Sequence, residues 1–306
     1  MEQSLRIKLI TTISAVCVLG AFFLGFNPGE KQELKIYKPT NDFSWIKTYG
    51  AIYYTFDKDQ WEKNPDRSFN KDGVQLTKGN FHPVNACHYA LFCYDEYKST
   101  GSEKYKTPFL AQCKYLFDTA QFTMPDSLRI GYHYKITFHD LKNPWYSALA
   151  QSEAISVLIR YYAITKDDAA LKQIVRIKNF MLTPVSEGGT MDSTPEGRLW
   201  LEEYPKSKQE LQVLNGFFIS VIALNEYCKL FPGDKETSEI YKTMLITAKS
   251  NIKYYDTGSW LRYNRGDKRL VANGYMKWQI NEMKHMRSEE HTSEFQSPYV
   301  ISYAVF

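Results

Sequence analysis

The chain has 306 residues, 43% hydrophobic and 24% charged, with a formal net charge of +4. Such a composition describes a folded globular protein and excludes a disordered one, and the small, scattered positive charge excludes a basic nucleic-acid-binding face while suiting a polyanionic glycan. Five cysteines (Cys17, Cys87, Cys93, Cys113, Cys228) show no CxxC or Cys/His ligand spacing, and their odd number argues against a disulfide framework.

In chain order, the first element is Leu9 to Phe26, LITTISAVCVLGAFFLGF, an uncharged apolar stretch preceded by Arg6 and Lys8. It predicts one N-terminal transmembrane helix within residues 1–30, a membrane anchor or a signal peptide, with the uncleaved anchor preferred because no A-x-A cleavage pattern comes after it. Residues 31–80 lack helical periodicity, carry the aromatic patch Ile52 to Phe56 and the turn signals NPD and KDG, and predict an irregular or β-rich segment wrapping the helical domain.

Residues 81–286 carry an internal repeat. VNACHYALFCYDEY (Val84 to Tyr97), LAQSEAISVLIRYY (Leu149 to Tyr162) and LNGFFISVIALNEY (Leu214 to Tyr227) recur so that Tyr97, Tyr162 and Tyr227 are evenly spaced. Each leads through a polar turn into a second amphipathic stretch: Tyr105 to Ala120, Ala169 to Leu182 and Ser238 to Tyr255. The expected fold is mainly α, an α/α toroid or incomplete barrel of αα-hairpins with β-hairpin and loop insertions. The insertions follow the second helix of each unit and are rich in Gly, Pro and aromatic residues, so they should emerge at one end and form the mouth of a site.

Arg287 to Glu294 reads RSEEHTSE, the translation of a common sequencing-library adapter, and Ile301 to Phe306 translates its next segment. Residues 287–306 are therefore expected to be an assembly artefact that does not pack on the helices and leaves the apolar face of the last helix exposed.

Several long motifs, in order between Phe81 and Asn281, resemble the glucuronyl C5-epimerase family, in its C-terminal catalytic domain. They are FHPVNACHYAL (Phe81 to Leu91), WYSALAQSEAISVLIRYY (Trp145 to Tyr162), LEEYP followed by VLNGFFISVIALNEY (Leu201 to Tyr227), and YDTGSWLRY (Tyr255 to Tyr263). The resemblance implies an α/α toroid that inverts C5 of glucuronate within a heparosan or heparan-type polymer, without metal or other cofactor. Its catalytic positions fall on Glu203 and Tyr204, Tyr263 and Tyr275, and substrate-binding positions on Tyr89, Trp145 and Tyr146. It also points to a lumenal or extracytoplasmic domain, with the polysaccharide as partner and a homodimer compatible. Two departures stand out: Tyr275 is followed by Met276, and Gln279 precedes Ile280, where members usually have His.

Chemistry read from the residues fits the same reaction. The C5 proton is α to a carboxylate, so its removal needs acid/base groups on both faces of the ring and a positive group at the carboxylate. Arg262, just before Tyr263, and Arg265, Lys268 and Arg269, between Tyr263 and Tyr275, cluster as candidates for binding a carboxylate or sulfate. No Walker A, G-x-S-x-G or H-E-x-x-H pattern occurs. Two alternatives stay open: a polysaccharide lyase or another glycan-active toroid enzyme, and a non-catalytic, membrane-tethered glycan-binding protein. A hydrolase would need a carboxylate pair across the glycosidic bond, whereas Asp192, Glu202 and Glu203 come from one loop.

Overall fold

The computed structural model describes residues 33–48, 63–118, 122–123, 127–209 and 211–290. The expected anchor, the Ile52 to Phe56 patch and most of the expected artefact lie outside them. No helix among the described residues is long and apolar enough to cross a membrane.

The molecule is mainly helical. Its seven described α-helices are α1 (Pro83–Thr100), α2 (Glu103–Asp118), α3 (Ala148–Thr165), α4 (Asp168–Met181), α5 (Leu214–Leu230), α6 (Lys235–Asn251) and α7 (Asn273–Glu290). The first six form three αα-hairpins. Local chemistry sets their ends: His82 caps α1 through Nδ1, which accepts the Asn85 N–H at 3.2 Å, with Pro83 at the first helical position. Gly101, at φ 69°, closes α1 in the left-handed region. Asp167 and Asp234, in the polar turns seen in the sequence, cap α4 and α6 on Ala169 N–H and Thr237 N–H.

Helices α1, α3, α5 and α7 pack side by side in chain order, with α2, α4 and α6 behind them. This explains why α3 and α5 are buried around nearly their whole circumference and show little amphipathic contrast. Small residues let them approach: Ser152 Oγ and Ser220 Oγ lie 3.0 Å apart, each also donating or placed to donate to the carbonyl one turn back. Farther along, the fully buried Arg160 of α3 meets Glu226 of α5 through Nη1 at 3.1 Å and Nη2 at 2.9 Å, and donates to the Lys47 carbonyl at 3.0 Å. That last bond ties residues 33–48 to the helices, as does Thr40 N–H on the Leu230 carbonyl at 2.8 Å.

Four two-stranded antiparallel ribbons complete the described fold: β1 (Arg67–Phe69) with β2 (Gln75–Thr77), β3 (Phe122–Thr123) with β4 (Ile130–Gly131), β5 (His133–Tyr134) with β6 (Trp145–Tyr146), and β7 (Met191–Ser193) with β8 (Leu199–Leu201). The last three lie in the insertions that follow α2 and α4. Trp200 of β8 stacks on Phe217 of α5 at 3.8 Å between centroids and is wholly buried, which fixes the residues following β8 against the start of α5.

Helix α7 does not leave its apolar face exposed as the sequence led us to expect. It packs on α5, where Met276, Met283 and Met286 are all buried, and it continues through Arg287 and Ser288, the latter accepting a 3.2 Å hydrogen bond from Lys47 Nζ. The face is apolar because it already has a neighbour, the third hairpin.

Candidate active site

The inner ends of α1, α3, α5 and α7 and two of the insertions surround a cavity of about 290 Å³. Such a volume suits a ring-sized ligand. Helix α1 contributes His88, α3 Glu153, α5 Asn215, α7 Tyr275 and Trp278, and the insertions Tyr134, Phe138, Trp145, Glu203 and Tyr204.

The aromatic wall is built first. Tyr134 and Trp145, cross-strand partners in the β5–β6 ribbon, stack at 4.0 Å and 8°. The Trp145 indole donates to the Ile136 carbonyl at 2.9 Å, and Tyr204 continues the wall, stacked on Phe138 at 5.0 Å. The Tyr204 and Tyr263 hydroxyls lie 3.3 Å apart, and Tyr263 meets Tyr275 edge-on at 5.8 Å. Backbone pairing fixes this meeting of loops, because Leu214 N–H donates to the Tyr263 carbonyl at 3.1 Å.

Glu203 lies against the first turn of α5, made possible by Gly216. A β-carbon at residue 216 would collide with both Oε2 and Cβ of Glu203. Gly216→Ala is therefore expected to cost about 1–3 kcal/mol in thermal or denaturant unfolding and to displace Glu203 from the cavity. An unchanged melting curve would show that the loop gives way freely.

Electrostatics keep the phenols protonated. Burial, then the Glu203 carboxylate, raise the pKa of Tyr204, and the same two causes raise that of Tyr275, opposed by Arg269. Burial also raises Tyr134 well above the phenol range. Glu282 of α7 is wholly buried with both oxygens unpaired, and burial together with Glu203 and Glu153 raises its pKa strongly, so it holds its proton. Burial likewise lifts Glu202 to about 8, partly offset by the Gln212 N–H it accepts and aided by Asp192 and Glu203.

Glu202 gives a pH prediction. Its native pKa lies above its unfolded value, so the native state binds the extra proton and stability falls as pH rises from about 4.5 to about 8. Glu202→Gln should remove that part of the fall, worth on the order of a few kcal/mol at pH 8. Unfolding curves for both proteins at pH 5 and pH 8 check it, and parallel pH dependence of the two would contradict it.

Of the residues singled out from sequence, Glu203, Tyr204, Tyr275 and Trp145 line the cavity, and Tyr263 touches Tyr204 from behind. The others are placed elsewhere. Tyr89 packs on Phe69 at 5.2 Å with Arg67 over its ring, and Tyr146, alternating with Trp145 on the ribbon, turns to Phe180. Arg262 donates to the Tyr254 carbonyl at 3.0 Å. Arg265 grips Glu196 through both terminal nitrogens and covers the Tyr254 ring, holding Glu196 down to about 2. Arg269 lies over the Tyr263 ring at 4.6 Å, close enough to Tyr275 to influence it without lining the cavity. These arginines fasten the loop because bidentate carboxylate and aromatic partners are available there.

His88, Glu153, Asn215 and Tyr134, which also line the cavity, were missed. Glu153 and Asn215 did carry a signal, each a polar residue inside a stretch otherwise apolar enough to be buried on all sides. Among the described residues no group of three or more His, Cys, Asp or Glu is arranged to hold a metal.

The family model described as D-glucuronyl C5-epimerase C-terminus matches residues 126–302, continuing beyond residue 286 into the tail. The chain is 33% identical over 141 residues to the D-glucuronyl C5-epimerase of Caenorhabditis elegans, covering 42% of this chain and 22% of that protein. It is 25% identical over 203 residues to an uncharacterized protein of Methanocaldococcus jannaschii, covering 63% of this chain and 65% of that one. The chain thus spans about a fifth of the worm enzyme and just under two thirds of the archaeal protein. With the family match extending over more than half of its length, the chain belongs to the D-glucuronyl C5-epimerase C-terminal family.

Proposed function

We propose that this chain is a uronate C5-epimerase that converts D-glucuronate to L-iduronate within a heparosan- or heparan-type polymer. The observation that carries this reading is the convergence of Tyr204, Tyr275 and Glu203 on one ring-sized cavity, with Tyr263 at 3.3 Å from Tyr204. An α/α toroid whose inner helices enclose the sugar is the architecture proposed with it. The family resemblance is the ground for proposing a lumenal or extracytoplasmic placement, with Leu9 to Phe26 as the proposed membrane anchor.

The reaction needs no redox change. One face of the ring loses its C5 proton to a base while the bonding pair moves into the C5–C6 bond of an enolate. The other face then receives a hydroxyl proton as that pair returns to C5, and solvent restores both groups. Because both phenols rest protonated, the one acting as base must first pass its proton on. Glu203, lining the same cavity, is the acceptor assigned to Tyr204. Donors at the carboxylate hold the enolate charge. Asn215, 4% exposed with its Oδ1 unpaired, suits a ring hydroxyl as its donor.

Incubation with a glucuronate polymer should yield iduronate signals by NMR without the ultraviolet absorbance of an unsaturated uronate. Absorbance that grows with chain cleavage would replace this reading with a lyase.

A further inference from the structure

An acidic polymer is held by cations, and the cavity does not supply them. Among the described residues that line it there is no Lys or Arg, while Glu153 and Glu203 are present. The cations stand outside, on three insertions. Exposed Lys135 and Lys142 lie between β5 and β6, exposed Lys206 and Lys208 between β8 and α5, and exposed Lys268 between α6 and α7.

Hydrogen bonds join these insertions into one surface. Asp140 accepts from Ser207 Oγ at 2.8 Å and from Lys208 N–H at 2.9 Å, tying the first insertion to the second. The second meets the third where the Gln209 carbonyl accepts from Asn264 Nδ2 at 3.5 Å and Leu214 N–H reaches the Tyr263 carbonyl at 3.1 Å. Phe138 and Tyr204, which line the cavity, belong to the same insertions, so the lysines border its mouth. Two acidic residues of this surface are turned to backbone: Asp140 as above, and Asp267 to Arg269 N–H at 2.8 Å. Two of the lysines also stand in left-handed backbone, Lys206 at φ 69° and Lys268 at φ 59°. Gly, Asn or Asp would suit those turns better than lysine, and strain of this kind concentrates at ligand clamps.

We infer that the lysines bordering the mouth bind the acidic groups of the sugars on either side of the ring in the cavity, an assignment that rests on the epimerase reading and names its substrate as a polyanionic chain engaged at several sugars. Charge recognition is thereby moved off the reacting ring. The aromatic wall and the acid/base groups handle that ring, and the lysines hold the chain that carries it. Exposed ammonium groups on long side chains suit this task, because they meet carboxylates or sulfates at varied spacing and draw a polyanion toward the mouth over a distance. A single uronate, which leaves the lysines unused, should bind weakly.

The test measures affinity of the full chain and its variants for a heparosan-type polymer at low and high salt, with C5 deuterium uptake followed in parallel. The same polymer with its carboxylates reduced to alcohols serves as comparison and folding control. Lys142→Gln, Lys206→Asn, Lys208→Gln and Lys268→Asn combined should weaken binding of the carboxylated polymer roughly 10- to 100-fold at low salt, a few-fold for each lysine. The loss should shrink at high salt, where exposed charges are screened, and be absent with the reduced polymer. Lys206→Asn and Lys268→Asn should keep or raise the melting temperature, since Asn tolerates left-handed backbone. Wild-type affinity of the quadruple variant for the carboxylated polymer, or equal losses on both polymers, would overturn the assignment. Phosphatidylserine vesicles bound through the same lysines more tightly than the polymer would give the surface to a membrane instead. Lysine-dependent polymer binding without C5 uptake in the wild type would sink the epimerase reading alone. Uptake in the wild type with an unchanged KM in the quadruple variant would sink the lysine assignment alone.

Discussion

Tyr204→Phe is expected to slow net C5 inversion by about 10²- to 10⁴-fold, the usual contribution of a proton-transfer group, with little change in stability. Phe retains the stack on Phe138 at 5.0 Å and the contact with Trp145 at 5.7 Å, so the aromatic wall survives. What disappears is a single hydroxyl and its contact with Tyr263 at 3.3 Å. Tyr275→Phe should give a loss of similar size from the other face, since Tyr275 reaches the cavity from α7 and not from an insertion. One of the two variants should still exchange the C5 hydrogen with retention, because the remaining face keeps its acid/base group. Inversion at the wild-type rate in both would show that these rings are structural.

The second large effect concerns the core. Glu226→Leu should cost about 3–5 kcal/mol of stability, because it strands the guanidinium of Arg160 in a wholly buried position. Glu226 and Asp95 now compensate that charge and, against the cost of burial, keep Arg160 firmly protonated. Replacing both partners, Arg160→Met with Glu226→Leu, should recover much of the loss, since the wholly buried guanidinium leaves together with its bidentate carboxylate. Denaturant unfolding of the two single variants and the double variant closes the cycle. A double variant as unstable as the sum of the singles would show that the pair acts through its packing and through the bond to the Lys47 carbonyl.

The helices were legible because their periodicity and punctuation agree. Asp167 and Asp234 sit where polar turns interrupt apolar runs, and both cap the helix after them. The even spacing of Tyr97, Tyr162 and Tyr227 returned as three stacked hairpins. Tyr204, Tyr263 and Tyr275 could be proposed because they stand in motifs that resemble a family, whereas no periodicity foretold that their loops would meet. Tyr146 was misplaced since strand alternation turns it away from Trp145. Arg265 was misplaced since Glu196, distant in sequence, takes both ends of its guanidinium. His88 and Glu153 escaped notice for the same reason: they belong to different hairpins, and their 2.6 Å contact exists only after α1 packs on α3.

The most direct measurement of the central claim is deuterium incorporation at C5 of a glucuronate polymer incubated with the protein in heavy water. Incorporation at C5 together with conversion to iduronate, both lost to the stated extent in Tyr204→Phe, is the result expected. Polymer that binds the protein but keeps its C5 hydrogen unexchanged would contradict the claim.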